Sequence, residues 1–228
     1  MKFYEMLSEH YTEIFPLSGD LVKMVRELTP DGGTVADIGS ARGELLDSLR
    51  ESGLRTFGLE YEPALVGKKG YVAAGDMHCL PFESESFDTL VCTGNTLAHT
   101  DGPDGLGRIM HEFSRVLSCG GAAVLQVLNY DMILKSRPFE LPVIKTERVR
   151  FEREYTYCGR RIKFTGRLTA DGITESSDVM LYPLVYDELR LSAENKGFFL
   201  EEVYAGFDKT PFSSKNSFPL VVILRKLC

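Results

Sequence analysis

The sequence predicts an α/β fold, in which a doubly wound, mostly parallel sheet is covered by helices on both faces to give three layers. Short apolar strands alternate with amphipathic helices along the chain of 228 residues. The first unit runs from Thr34 to Ile38 and leads through a glycine turn into a helix with Leu45, Leu46 and Leu49 on one face. Three successive strands end in an acidic residue, as expected when the carboxyl ends of parallel strands meet at one edge.

Residues 1–30 predict an N-terminal helical lid. The helical pattern is interrupted at Phe15 and Pro16, which divides the segment into two pieces. A segment that precedes the first strand is free to cross the ligand edge of the sheet, so Tyr4, Tyr11 and Phe15 are candidates to lie over a ligand there. Aromatic packing in the core explains these residues equally well.

The glycine turn after the first strand is the most informative motif. Asp37 lies near the end of the strand, and Gly39, Ser40, Ala41 and Gly43 form the turn that leads into the next helix. The glycines leave backbone amides uncovered, so that a ligand can approach the main chain closely. A carboxylate beside such a turn predicts a nucleotide-like cofactor with a cationic tail.

Two cofactor classes fit this turn. A glycine turn at the start of a helix also binds the pyrophosphate of a dinucleotide, with an acidic residue about 20 positions later. Glu60 lies at such a distance from Gly39 and is compatible with both classes. Asp37 would repel a pyrophosphate, and the spacing is GxAxG rather than GxGxxG. A nicotinamide-dependent oxidoreductase therefore stays the alternative.

Three acidic residues follow successive strands: Asp37, Glu60 and Asp76. We expect them to converge on one crevice, because the carboxyl ends of parallel strands share an edge. There they would orient an ammonium-bearing tail, accept hydrogen bonds from two ribose hydroxyls and accept from an adenine amino group. Their presence argues against a third interpretation, a non-catalytic subunit that keeps the fold and loses the crevice.

Polar residues leave the fourth strand on the ligand side of the sheet. Asn95 is a candidate to polarise a nucleophile or to bind the amino-acid part of the cofactor. His99 is a candidate general base, since an unperturbed imidazole titrates near neutral pH. A loop histidine bonded to the backbone is the other interpretation of His99.

The later elements follow from periodicity and turn residues. Apolar residues at helical spacing predict a helix over 104–118, and a strand follows over 122–128. A further helix is predicted over about 186–196. Strands over 198–204 and 219–227 follow each other without a helix between them, which predicts an antiparallel pair at the edge of the sheet.

Residues 145–182 predict an inserted antiparallel flap. Alternating apolar residues and a Cys158-Gly159-Arg160 turn indicate a hairpin, and 173–181 adds a third strand. Because the flap begins beyond the fifth strand, it can reach over the crevice and exclude water from a small substrate. Eight basic residues stand against three acidic ones between 145 and 167. This excess favours an anionic substrate, although charge that protects an exposed strand edge explains it too.

The chain resembles the class I S-adenosylmethionine-dependent methyltransferases. The resemblance is carried by VADIGSARG (35–43), FGLEYEP (57–63), the segment 73–100 and the LSCGGAAVLQVLN run (117–129). GNTLAH and the long insertion after the fifth strand are most similar to the small-molecule branch, which includes glycine and sarcosine N-methyltransferases. The resemblance implies a seven-stranded sheet with its last strand reversed, S-adenosylmethionine as cofactor and in-line methyl transfer to a small-molecule acceptor.

The predicted site combines these residues. One departure from many relatives is the Ser40-Ala41-Arg42 turn, where they carry Cys-Gly-Thr or similar residues, so Ala41 narrows the space above the turn. His99 and Asn95 are the candidate catalytic residues, and no metal ligand is predicted. The candidate cofactor-binding residues are Asp37, Gly39, Ser40, Ala41, Gly43, Glu60, Tyr61, Asp76, Met77, Asn95, Leu97 and Tyr11.

Composition predicts a single domain over residues 1–228, in a cytoplasmic enzyme that binds neither nucleic acid nor membrane. The formal net charge of −7 disfavours nucleic acid, which needs a basic surface. No signal-like apolar core follows Met1, and no run approaches the ~18 apolar residues of a membrane span. The five cysteines show no metal-ligand spacing and predict reduced thiols. The sequence does not define the oligomeric state.

Overall fold

The computed structural model describes residues 2–67 and 69–228. Its N-terminal segment holds two short helices, with a 3-10 turn at Ser8–His10 between them, and one longer helix. No helix in the described ranges combines the length and the apolar character needed to cross a bilayer. The α-helices are α1 (Lys2–Leu7), α2 (Tyr11–Ile14), α3 (Gly19–Leu28), α4 (Glu44–Glu51), α5 (Pro63–Val66), α6 (Pro103–Val116), α7 (Tyr130–Ser136) and α8 (Tyr186–Glu194).

The main sheet has seven strands and confirms the predicted fold class. From one edge to the other the strand order is β10-β11-β5-β4-β1-β2-β3. Strand β11 runs antiparallel to both β10 and β5, while the other neighbouring pairs are parallel. The strands are β1 (Thr34–Ile38), β2 (Arg55–Glu60), β3 (Val72–Ala74), β4 (Phe87–Cys92), β5 (Leu117–Leu128), β10 (Phe198–Tyr204) and β11 (Pro219–Lys226).

Alternate residues of the central strands point to opposite faces of the sheet, each covered by helices. On one face Ala36 and Leu90 join the core beneath α6 and α8, and on the other Val35 and Val91 pack against α3 and α4. The sequences of strands that are buried on both faces are almost continuously apolar, because βα units cover both sides of a parallel sheet with helices. The three predicted layers are therefore confirmed.

A second sheet forms the flap. It has four antiparallel strands, one more than the sequence predicts, because residues before the predicted insertion also pair with it. The extra strand contains Pro142 and an irregular register after Leu141, which hide the usual alternation. Its strands are β6 (Glu140–Lys145), β7 (Val149–Cys158), β8 (Arg161–Ala170) and β9 (Ile173–Leu181).

The flap and the N-terminal helices share the core of the main sheet. Phe151 and Tyr155 of β7 are almost fully buried in the same cluster as Phe3 of α1 and Ala36 of β1. The rings of Phe3 and Phe164 lie 5.3 Å apart between the lid and the flap. Both segments are thus anchored by burial of apolar surface, which is the main favourable term in folding.

Polar contacts fix the lid to the glycine turn and to the flap. Nε of Arg42 donates to the carbonyl of Ser8 at 2.9 Å, and Thr12 donates to the carboxylate of Glu44. Thr146, in the turn between β6 and β7, donates to Glu13. Arg42, an unexpected charge in the sequence, therefore acts here as a link between the turn and the lid.

The prediction that all five cysteines are reduced thiols is wrong for two of them. Cys119 and Cys228 form a disulfide with Cα atoms 5.0 Å apart. The residues are 109 positions apart, and only the antiparallel pairing of β11 with β5 brings them together. Cys79, Cys92 and Cys158 carry free thiols, and Cys92 is buried in β4 as expected for a small apolar residue.

We expect the disulfide to stabilise the fold measurably. In the oxidised protein, Cys119→Ser should lower the free energy of unfolding by about 2–5 kcal/mol, because the bridge restricts a long loop of the unfolded chain. Urea denaturation with and without reductant measures this, and Cys158→Ser is the matched control that keeps the bridge. Equal stability of the oxidised and reduced wild type, or titration of five free thiols in the oxidised protein, would contradict it.

Candidate functional site

The site lies where β1, β2, β3 and β4 end. These strands are neighbours in the order β4-β1-β2-β3, and all run in the same direction. The residues that follow them therefore meet at one edge of the sheet, as predicted. They surround a cavity of about 240 Å³.

The lid and the four strand ends together form the wall of this cavity. Seven predicted site residues line it, and the lid contributes two tyrosines from α1 and α2. The lining also includes Thr96, Gly94 and His78, to which the sequence analysis gave no role. The predicted residues on the wall are Tyr11, Gly39, Glu60, Tyr61, Asp76, Met77 and His99.

Gly39 allows the cavity to reach the backbone of the turn. Its φ is +80°, a conformation that favours glycine, and an added Cβ would lie 2.5 Å from Oγ1 of Thr96. The turn that leaves β1 and the loop that leaves β4 are therefore in direct contact. A ligand at this position meets both loops at once.

The turn differs from the sequence prediction in its backbone amides. We expected uncovered amides, but the N–H groups of Gly39 and Ser40 donate to the carbonyl of Leu59 at 2.8 and 3.1 Å. The N–H of Ala41 donates to Oε2 of Glu60 at 2.8 Å. Gly43 donates to the carbonyl of Ser40 and begins α4. A ligand can therefore approach the backbone of the turn closely, but the N–H groups of Gly39, Ser40, Ala41 and Gly43 are already hydrogen-bonded.

Glu60 is the link between the turn and β2. Its Oε1 accepts from the N–H of Glu62 at 2.9 Å, so each carboxylate oxygen already accepts a hydrogen bond from a backbone N–H. Burial raises the pKa of Glu60, and the N–H donors of Glu62 and Ala41 oppose that shift. Each oxygen keeps further lone pairs, so Glu60 can still accept hydrogen bonds from a ligand.

Asp37 is a buried carboxyl in a negative environment. Only 4% of its surface is exposed. Burial, followed by the charges of Glu60 and Glu44, raises its pKa to about 7. A cation bound beside Asp37 would favour the ionised form and reverse this shift.

Asp76 follows β3 and is joined by a histidine. Oδ1 of Asp76 lies 2.6 Å from Nδ1 of His78. Burial by itself would raise the pKa of Asp76, but hydrogen bonds from the backbone and the ring of His78 outweigh it, so the pKa is lowered. His78 was given no role because no partner pattern for it is visible in the sequence. Its position on the cavity wall appears only once the chain turns after β3.

Tyr4 and His99 form a hydrogen-bonded pair on the cavity wall. Oη of Tyr4 lies 2.7 Å from Nε2 of His99, and the rings meet edge to face. Burial lowers the pKa of His99 to about 4 and raises that of Tyr4 well above its usual range. The imidazole and the phenol are therefore both neutral at neutral pH.

Neither Asn95 nor Leu97 lines the cavity, because both side chains pack inside the fold. Nδ2 of Asn95 donates to Oη of Tyr130 at 2.9 Å, and its Oδ1 accepts from the N–H of Leu128 at 3.1 Å. Asn95 thereby ties the loop after β4 to β5, with a positive φ of 66°. Leu97 is fully buried in the core. Ser40 is also almost buried, and Ala41 takes a positive φ of 46°.

No cluster of three metal-ligating side chains is found within the described residues. The cavity wall combines carboxylates, three tyrosines and two histidines, His78 and His99, beside the turn at Gly39.

Comparison with known proteins finds similarity to methyltransferases over part of the chain. Residues 36–125 match the model of a methyltransferase domain. The chain is 28% identical over 135 residues to a glycine/sarcosine N-methyltransferase of Aphanothece halophytica, a match that covers 55% of this chain and 47% of that protein. The chain spans about half the length of the curated relatives it matches.

Solved structures share the fold over nearly the whole chain. An S-adenosylmethionine-dependent methyltransferase from Clostridium acetobutylicum superposes with a TM-score of 0.83 at 12% identity, covering 99% of both chains. CalS10, an amino pentose methyltransferase from Micromonospora echinaspora solved with S-adenosylmethionine bound, gives a TM-score of 0.68 at 17% identity and covers 96% of both chains.

We expect Gly39→Ala to disrupt the site. The new Cβ would collide with Thr96, so one of the two loops must move, and affinity for S-adenosylmethionine should fall at least about tenfold, equal to ~1.4 kcal/mol. Calorimetric titration measures the Kd. Gly53→Ala is the matched control, because Gly53 also has a positive φ but an added Cβ there meets open space. An equal loss in both variants would contradict the role of the contact.

Proposed function

We propose that this chain is a class I S-adenosylmethionine-dependent methyltransferase that transfers the methyl group of S-adenosylmethionine to a small-molecule acceptor. The observation that carries the proposal is the pair of buried carboxyls, Asp37 and Glu60, next to the turn at Gly39. A curated relative is named a glycine/sarcosine N-methyltransferase, which supports a small acceptor.

The residues on the cavity wall, together with the buried Asp37, which does not itself line the cavity, fit this cofactor. Asp37 would hold the ammonium of the methionine tail, because a buried carboxyl with a raised pKa gains from a cationic partner. Glu60 would accept from the ribose hydroxyls and Asp76 from the adenine amino group. When bound, S-adenosylmethionine supplies a methyl group on a positively charged sulfur that a lone pair can displace in line.

The chain's own contribution is to position the acceptor and to exclude water. The lid contributes Tyr4 and Tyr11 to the cavity wall and shares one core with the flap, so the two together would enclose an acceptor beside the cofactor. Holding two reactants at ~3–3.5 Å in line accounts for several kcal/mol of the barrier without an acid or a base. The general base role suggested for His99 is not required for this.

Two alternatives make different demands on the site. A nicotinamide-dependent oxidoreductase needs a turn that accepts a pyrophosphate, and Asp37 and Glu60 both oppose the charge of that group. A non-catalytic subunit would have no use for a cavity lined by Glu60 and Asp76. A cationic cofactor therefore suits the electrostatics of the turn better than either alternative.

We propose further that the acceptor carries an anionic group. Alternation along β7 puts Arg153 on the same face as Phe151 and Tyr155, which face the core, whereas Arg150 and Arg167 lie on the outer face. Nε of Arg153 is buried without a hydrogen-bond partner among the described residues. A carboxylate on the acceptor would accept a hydrogen bond from this unpartnered N–H of the guanidinium.

Affinity for S-adenosylmethionine should depend on pH through Asp37. The pKa of Asp37 is raised to about 7 by burial and by the neighbouring Glu60 and Glu44, so its carboxylate forms only as pH rises through that value. Because the ammonium binds the carboxylate, the Kd should fall roughly tenfold between pH 6 and pH 7.5–8. Asp37→Asn should weaken binding and remove this dependence.

Calorimetry with S-adenosylmethionine and with its demethylated product, S-adenosylhomocysteine, at both pH values measures the effect. No heat with either compound, together with clear binding of NADH, would contradict the proposed function itself. Binding with the same pH dependence in Asp37→Asn would contradict only the role of Asp37.

The acceptor's charge can be tested with Arg153→Gln. For an acceptor with a carboxylate, KM should rise about 10–150-fold, as expected for loss of a charge-assisted hydrogen bond of ~1.5–3 kcal/mol. The Kd for S-adenosylmethionine should stay unchanged. Arg167→Gln, on the outer face beside Glu154, is the matched control. Equal KM values in the two variants would place acceptor recognition elsewhere.

A further inference from the structure

The Tyr4–His99 pair lies on the cavity wall beside the loop that follows β4. His99 ends the 3-10 turn Thr96–His99, and Thr96 of that turn is the residue that an added Cβ on Gly39 would strike. The turn therefore borders the part of the site that we assign to the methionine tail. Tyr4 reaches the same place from the lid, because both residues line the cavity.

The pair has a preferred direction. A phenol is a better donor than an imidazole N–H, and an imidazole nitrogen is a better acceptor than a phenol oxygen. We assign the tautomer of His99 with Nε2 unprotonated, so that the hydroxyl of Tyr4 donates to it across 2.7 Å. This fixes the hydroxyl rotor and leaves the lone pairs of Oη of Tyr4 as acceptors toward the cavity.

We propose that Tyr4 is an acceptor-positioning residue whose oxygen accepts a hydrogen bond from the N–H of a primary or secondary amine, with His99 holding the Tyr4 hydroxyl in place. This inference rests on the proposed function. The amine reacts as the free base. Its nitrogen lone pair forms the new N–C bond, the C–S bond breaks with its electron pair left on sulfur, and the product ammonium loses its proton to water.

The chemistry of the pair favours nitrogen over oxygen. An alcohol or phenol must lose its proton to become a good nucleophile, which calls for a base matched to neutral pH. Burial lowers the pKa of His99 to about 4, so His99 is a weak base at that pH. A free amine already has its lone pair and needs only orientation.

The same contact limits how many methyl groups are transferred. A primary amine and its N-methyl product each keep an N–H that Tyr4 can orient. An N,N-dimethyl amine as the free base has none, so the oxygen of Tyr4 is left facing a methyl group. Methylation should therefore stop at the dimethyl product.

The test is a panel of amines supplied as matched primary, N-methyl and N,N-dimethyl forms, with the corresponding hydroxy compounds. Glycine, sarcosine and N,N-dimethylglycine form one such series. In the wild type we expect turnover of the first two forms and at least ~20-fold lower kcat for the third and for hydroxy compounds. Turnover of hydroxy or N,N-dimethyl compounds at similar rates, or turnover of no amine by protein that binds S-adenosylmethionine, would overturn the inference.

Variants separate positioning from structure. Tyr4→Phe keeps the ring contacts with Phe3 and His99 and removes only the hydroxyl. It should lower kcat for the primary amine about tenfold, reduce the preference over the dimethyl form, and weaken binding of that amine to the complex with S-adenosylhomocysteine by calorimetry. The Kd for S-adenosylmethionine should change less than threefold. Tyr204→Phe, which loses a hydroxyl bonded to Glu202 on β10, is the matched control.

A double-mutant cycle tests the role of His99. His99→Leu should lower kcat in the wild-type background and have no added effect in Tyr4→Phe, because His99 acts through the Tyr4 hydroxyl. His99→Gln, whose side-chain oxygen can accept from Tyr4, should recover part of the loss. Additive losses would show that His99 acts independently of Tyr4. If the wild-type protein does not bind S-adenosylmethionine, the proposed function itself is overturned.

Discussion

Burial of negative charge at the ends of β1 and β2 is the constraint around which the site is organised. Glu60 remains buried because two backbone N–H groups hold its carboxylate, and one of them belongs to the glycine turn. Asp37 lies behind the same turn with a pKa raised by that neighbour and by burial. Leaving a charge in such a place is costly unless a partner offsets it, so a cation bound beside the turn would stabilise the ionised carboxylates.

The lid depends on the same turn. Arg42 lies two positions after Ser40, whose N–H donates to the carbonyl of Leu59, and its guanidinium donates to the carbonyl of Ser8, so the position of the lid is set by the geometry of the glycine turn. Tyr4 and Tyr11 are carried by that lid to the cavity wall. A change in the turn is thereby transmitted to the residues that enclose the acceptor.

Much of the fold could be predicted from local pattern. Alternation of apolar strands and amphipathic helices gave the layered sheet, and the parallel strand ends gave the convergence of Glu60 and Asp76 on one cavity. Contacts between distant segments could not be predicted in this way. The bond from Ala41 to Glu60, which occupies an amide expected to be free, and the Cys119–Cys228 disulfide both depend on strand pairing across the sheet.

The flap draws its stability from the core of the main sheet. Phe151, Tyr155 and Leu168 are buried in the cluster that also holds residues of β1, β4 and α6. Any substitution of an inward-facing flap residue therefore also removes packing that keeps the domain folded. The sequence of the flap can thus diverge only as far as the folding free energy allows, and most freely at its outward residues and edge strands.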